Sequence, residues 1–148
     1  MNWTTLLRFR KQVEDLAREA VVLAEWEKSE EVAKRYDLSR EMQTVVAEFE
    51  QQIQGGIENL VAEERYRWLE HIGSAMEACT EEIRRLDETL VGLRQTLKKA
   101  YHARRVVELV IKKKESAVLQ KIAAQEQRLQ EDVSAHAFAT SHLEEMTY

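Results

Sequence analysis

The second half of the chain carries one apolar stripe: Ile72, Met76, Cys79, Ile83, Leu86, Leu90, Leu93, Leu97 and Ala100 follow one another at strict 4-3 spacing, with mostly charged or polar residues between. This is the a/d pattern of a heptad, and its period of roughly 3.5 residues keeps one face on a partner only where helices wind left-handedly. The stripe continues through Arg104, Val107 and Ile111 and, with polar interruptions, through Val118, Ile122, Leu129 and Val133. One helix cannot bury such a seam alone, so another helix must lie along it. In the first half, Leu6, Phe9, Val13, Leu16, Ala20 and Leu23 keep the spacing of an amphipathic helix. The phase then drifts over residues 25 to 35, and apolar positions resume as Val32, Tyr36, Val46 and Ile53. A second set, Leu38, Met42, Val45 and Phe49, lies about 100° round the same helix. One of the two sets serves the seam; the other either widens it or forms an exposed docking strip.

Gly55-Gly56 is the strong helix breaker, and it falls between the two patterns. The reading is all-α: a long two-helix antiparallel coiled-coil hairpin with an extended second helix, forming a single elongated domain. Helix one covers about 4–53, a turn about 54–59 and helix two about 60–138, with a frayed tail over 139–148. Thr4 or Thr5 can cap the first helix and Asn59 the second. If residues 51 and 62 flank the turn, positions whose numbers total about 113 lie level, residue 3 meets residue 110, and residues beyond about 111 overhang. The paired section is then roughly 75 Å long.

Composition agrees with a helical rod. There is no proline, glycines number only four, and a third of the residues are charged. Cys79 is the sole cysteine and sits on the stripe, which suits a small core residue in a reducing compartment and offers no basis for a zinc site. No apolar run approaches the roughly 20 residues of a membrane span, and the N-terminus lacks a signal-peptide core. The expected location is the cytoplasm.

Charge changes the picture more. The net charge of −5 hides a local +6 over residues 98–114 and a further +3 over residues 1–11, leaving −14 for the remainder. In the antiparallel register the two basic clusters, Arg8, Arg10 and Lys11 with Lys99, Arg104 and Arg105, merge at the open end of the hairpin. Such a collar can be plain solvated surface, can neutralise nucleic-acid phosphates, or can meet an acidic protein surface. The acidic remainder and the lack of interleaved aromatics argue against nucleic acid. Arg104 occupies a seam position, where a polar residue lowers stability but can fix register or open the seam for a partner.

Catalysis finds no foothold. His71, His102, His136 and His142 show no metal-ligand spacing, and no phosphate loop or nucleophile elbow is present. Two paired helices also offer no concave pocket. Neither a cofactor nor a metal is expected.

The opening Trp3-Thr4-Thr5-Leu6-Leu7-Arg8-Phe9-Arg10, followed by Glu14, resembles the F/L-x-x-L-L-x-x-R start of the flagellar export protein family FliJ. Gly55-Gly56-Ile57-Glu58-Asn59-Leu60 and then Arg65-Tyr66-Arg67-Trp68-Leu69 resemble that family's turn and aromatic-rich segment. The late helix is similar from Ala103 through Val133 to Phe138, although Glu131-Asp132 stands where the family usually ends in a Glu-Gln…Asp-Glu run. The resemblance implies a coiled coil like the central stalk of rotary ATPases, with no catalysis of its own. It implies as partners the hexameric export ATPase, the export-gate cytoplasmic domain and export chaperones, at the cytoplasmic face of the inner membrane and reaching the membrane only through proteins. Ring contact then falls to Arg8, Arg10, Lys11, Arg104, Arg105, Lys112, Lys113 and Lys114. The positions matching the family's gate contact are Leu38, Met42, Val45, Phe49, Ile72, Met76, Cys79 and Ile83. The last four also begin the seam and are read as core; the first four are read as the docking side. The rival readings are the equivalent stalk of a virulence secretion system, a coiled-coil scaffold pairing with its own copies, and a nucleic-acid-binding arm.

Overall fold

The computed structural model describes residues 1–147, and the described residues form two helices, α1 (Trp3–Gln54) and α2 (Asn59–Thr147), joined by a short turn. α1 starts earlier than Thr4 or Thr5 would set it. Asn2 is the cap: its Oδ1 accepts the Thr5 backbone N–H at 3.2 Å, and its carbonyl accepts from Leu6 at 3.1 Å. At the other end of the turn the Glu58 carbonyl accepts the Ala62 N–H at 3.0 Å, which puts the cap position at Glu58 and makes Asn59 the first helical residue. α2 is helical through Thr147, beyond residue 138 where the sequence sets its end, with no proline or glycine to stop it; Tyr148, the last residue of the expected tail, lies outside the described residues.

α1 ends on the glycine pair. Gly55 donates its N–H to Gln51 at 3.1 Å, Gly56 donates to Ile53 at 3.3 Å, and Gly56 takes φ +82°. A Cβ there would meet nothing within 4 Å, so only the backbone conformation demands glycine. Gly56→Ala is therefore expected to destabilise by about 1 kcal/mol, measured by urea denaturation, with no loss of helicity in water.

Contacts group the described residues into two compact units, Met1–Phe9 with the chain from His102 onward, and Arg10–Tyr101. In the second unit α1 and α2 pack antiparallel. All nine residues of the Ile72–Ala100 stripe are buried or half-buried, with Ile72 and Leu90 only 1% exposed. Val21, Ala24 and Leu90 form a buried cluster against which Leu93 and Leu97 pack. Arg35 with Thr80, Lys28 with Asp87, Phe49 with Tyr66 and Met42 with Gly73 all meet at numbers totalling 115, two above the level register expected from the turn. The shift has a simple cause. Side chains lean toward the N-terminus of their own helix, so in an antiparallel pair each contacting residue stands about one position later than the spot it covers.

The α1 side of this seam departs from the expected face. Its inward positions run Arg10, Glu14, Ala17, Val21, Ala24, Lys28, Glu31, Arg35, Leu38, Met42, Val45, Phe49 and Gln52, an unbroken 4-3 series. Glu14 is 4% exposed and bonded to Arg18 at 3.0 Å, while Leu16 and Leu23, expected in the seam, are 66% and 57% exposed. Each buried residue from Glu14 to Ala24 directly follows an expected one, a turn of about 100°. The heptad phase of α1 does not drift after all; it passes through polar residues.

In the other unit Trp3, Leu6 and Leu7 are half-buried, Val107 is 5% exposed, and Lys114 Nζ stands 4.6 Å from the centre of the Trp3 ring. From Lys112 to Met146 every residue of α2 is exposed.

Candidate functional site

The basic residues expected at a ring contact fall in both units. Arg8, Arg104, Arg105, Lys112, Lys113 and Lys114 belong to the unit that begins again at His102, and Arg10 and Lys11 to the other. Their environments differ. Arg104 donates to Glu108 at 2.6 Å and Arg105 to the same carboxylate at 2.9 Å, each about one helical turn away. The bond from Arg105 first, and that from Arg104 next, hold the Glu108 carboxyl below the usual carboxylate range. Both guanidiniums are thus tied to one acid, and Arg104, at its seam position, is half-buried. Lys114 is occupied by the Trp3 ring, a cation–π contact. Arg8, Lys112 and Lys113 are exposed and present their charge outward. Just beyond, Lys114, Glu115, Val118 and Leu119 line a shallow, largely apolar depression. The stripe from Val118 onward therefore lies bare: Val118, Leu129 and Val133 are 57%, 64% and 68% exposed.

The eight positions read as gate contacts are seam residues. Val45 and Phe49 are 7% and 8% exposed, Ile72 and Cys79 1% and 2%, and Leu38, Met42, Met76 and Ile83 are half-buried. Phe49 meets Tyr66 edge-on, with ring centres 5.2 Å apart at 70°. Ile72, Met76, Cys79 and Ile83 lie on the α2 side of the seam, and Leu38, Met42, Val45 and Phe49, read from the sequence as the docking side, lie on its α1 side. Those four lie opposite the α2 stripe, so the two sets cover each other. Among the apolar side chains left outside near the turn are Val46, Ile53, Leu60 and Trp68, all exposed. Trp68 stacks on His71, ring centres 5.8 Å apart.

Sequence reasoning missed the polar stretch of the seam. Between Ala24 and Leu38 the inward residues of α1 are Lys28, Glu31 and Arg35. Lys28 bonds Asp87 at 2.7 Å and Arg35 donates to Thr80 at 2.8 Å. Burial, and then a hydrogen bond to Glu31, raise the Cys79 thiol above its ordinary value. Extending the Leu38–Phe49 heptad backward would have found these residues. Among the described residues no group of three or more His, Cys, Asp or Glu could hold a metal ion, and no helix is long and apolar enough to cross a membrane.

A paired-helix seam with a bare second helix matches what the sequence resemblance implies. The family model described as flagellar FliJ protein matches residues 3–142, nearly the whole chain. The chain belongs to the FliJ family. No curated protein and no solved structure matches it significantly. FliJ membership associates the chain with flagellar protein export. The family match also spans both helices and the glycine turn between them.

Proposed function

We propose that the chain is the stalk and coupling factor of the flagellar type III export ATPase, promoting assembly and ATP hydrolysis of the hexameric ring and linking it to the export gate and to substrate chaperones. The observation that carries this reading is α2 from Lys112 to Met146: a continuous helix, exposed throughout, with lysines at its root and an apolar stripe that needs a partner. A protein ring can supply that partner, and an acidic lining would be steered onto Arg8, Lys112 and Lys113. Arg104 and Arg105, already shared with Glu108, contribute less, and Lys114 flanks the contact. Gate docking falls to Val46, Ile53, Leu60 and Trp68 around the turn, because the seam withholds the residues that the family pattern would use. The chain then works in the cytoplasm and meets the membrane only through the gate.

The test is ATP hydrolysis by the cognate ATPase with increasing amounts of this protein. Wild type is expected to stimulate, and Lys112→Glu/Lys113→Glu to need about tenfold more protein for half the effect, at an unchanged melting temperature. Absence of stimulation by saturating wild type would overturn the stalk reading.

A further inference from the structure

Beyond Ile111 the stripe of α2 changes phase. Continued at 4-3 spacing from Val107 and Ile111, the earlier seam takes Lys114, Val118, Lys121, Gln125, Arg128 and Asp132, and only Val118 among them is apolar. One residue later a second 4-3 series begins with Leu119, Ile122, Glu126, Leu129, Val133 and His136, which Thr140 and Leu143 extend. The step turns the apolar side of the helix by about 100°, so this stripe is not a surplus of the earlier seam. It has the spacing of a coiled-coil seam in its own right. Leu119, Ile122, Leu129 and Val133 are 66%, 45%, 64% and 68% exposed.

The two charge-bearing positions of this series indicate what covers it. Glu126 and His136 lie on the stripe itself, at equal distances on either side of the pair Leu129 and Val133. A parallel copy of the helix would set Glu126 on Glu126 and His136 on His136, carboxylate facing carboxylate. An antiparallel copy sets Glu126 of each chain on His136 of the other, an acceptor facing a donor. We propose that residues 119–143 of α2 pair with the same stretch of a second copy of this chain, antiparallel about a two-fold axis midway between Leu129 and Val133. The same register sets Leu129 on Val133, Ile122 on Thr140 and Leu119 on Leu143, so every layer of the seam is accounted for. The contact is self-complementary, as a two-fold interface must be. Asp132 flanks the axis and meets its twin there; Arg128, four residues earlier on the same flank, offsets that repulsion. The seam spans about 36 Å, and its polar layers fix the register at a cost in stability, which makes the dimer reversible. The pairing does not rest on the stalk reading; a ring that takes the same stripe competes with the second copy.

Sedimentation equilibrium on the full chain, from low micromolar to submillimolar concentration, tests this without reference to the ATPase. Wild type is expected to follow a monomer–dimer equilibrium. Leu129→Glu/Val133→Glu is expected to stay monomeric, with the hairpin melting unchanged because both residues lie outside the α1 seam. Glu126→Lys should weaken the dimer about tenfold, and Glu126→Lys/His136→Glu should return it to within about twofold of wild type. A parallel dimer would be weakened further by that exchange, which sets lysine on lysine and carboxylate on carboxylate. Circular dichroism at the lowest concentration is recorded for each variant, to separate loss of helix from loss of pairing. A wild type that is monomeric at every concentration overturns the proposal. So does a dimer that survives Leu129→Glu/Val133→Glu, or one that the exchange fails to restore at unchanged helicity, because the first denies the stripe and the second the antiparallel register.

Discussion

Phe49→Asp is expected to lower the stability of the hairpin by more than about 3 kcal/mol, because truncating a buried aromatic costs that much before the charge is added. Phe49 is 8% exposed and lies edge-on to Tyr66 across the seam. The aspartate would lose the ring contact and place a carboxylate opposite the α2 stripe. Ile53→Asp, one helical turn nearer the glycines and 51% exposed, is the matched control and should change stability by less than about 0.5 kcal/mol. Chemical denaturation followed by circular dichroism distinguishes the two. A Phe49 variant as stable as the Ile53 variant would mean that Phe49 is surface and available for docking, against its burial here.

The second large effect has the opposite sign. Replacing Lys28, Glu31 and Arg35 together with leucine should raise stability by about 1–3 kcal/mol, because three leucines in series at the seam would bury apolar surface against α2. These side chains fill three consecutive positions of the seam and make polar contacts to Asp87, Cys79 and Thr80. Cys79, the sole cysteine and 2% exposed, reports on the same layer. In the wild type it should react with a thiol reagent through local separation of the helices, faster than global unfolding allows. In the triple leucine variant labelling should slow about tenfold or more. Unchanged labelling with a lower melting temperature would show that the polar contacts are worth more than the packing they displace.

These two predictions also mark how far the sequence could be read. The α2 stripe was legible because nine apolar residues hold one phase, and every one of them is buried or half-buried. The turn was legible because only Gly55-Gly56 interrupts the periodicity at that point. The α1 face was not, because the strongest local pattern, Leu16 and Leu23 with their neighbours, lies on the outside. A continuous helix cannot rotate its seam between Ala24 and Leu38, so the packing of Leu38, Met42, Val45 and Phe49 against α2 fixes which face turns inward for the whole paired length. Alanines, Glu14 and Lys28 follow into the seam for that reason. Long-range geometry outweighed local hydrophobicity, and a window of a few turns contains no sign of it. The basic candidates were legible as a cluster, but their sharing of Glu108 and the cover of Trp3 over Lys114 depend on side-chain geometry that charge counting does not contain.

The bare length of α2 from Lys112 to Met146 has one more consequence. With no tertiary packing to make it cooperative, this stretch obeys helix–coil statistics, its ends unwinding and rewinding within microseconds and its mean helicity sloping gently with temperature. A partner that encloses it meets backbone already close to its bound conformation. Most of the ordering entropy has been spent before the encounter, so the partner's grip need only quench the remaining fluctuation.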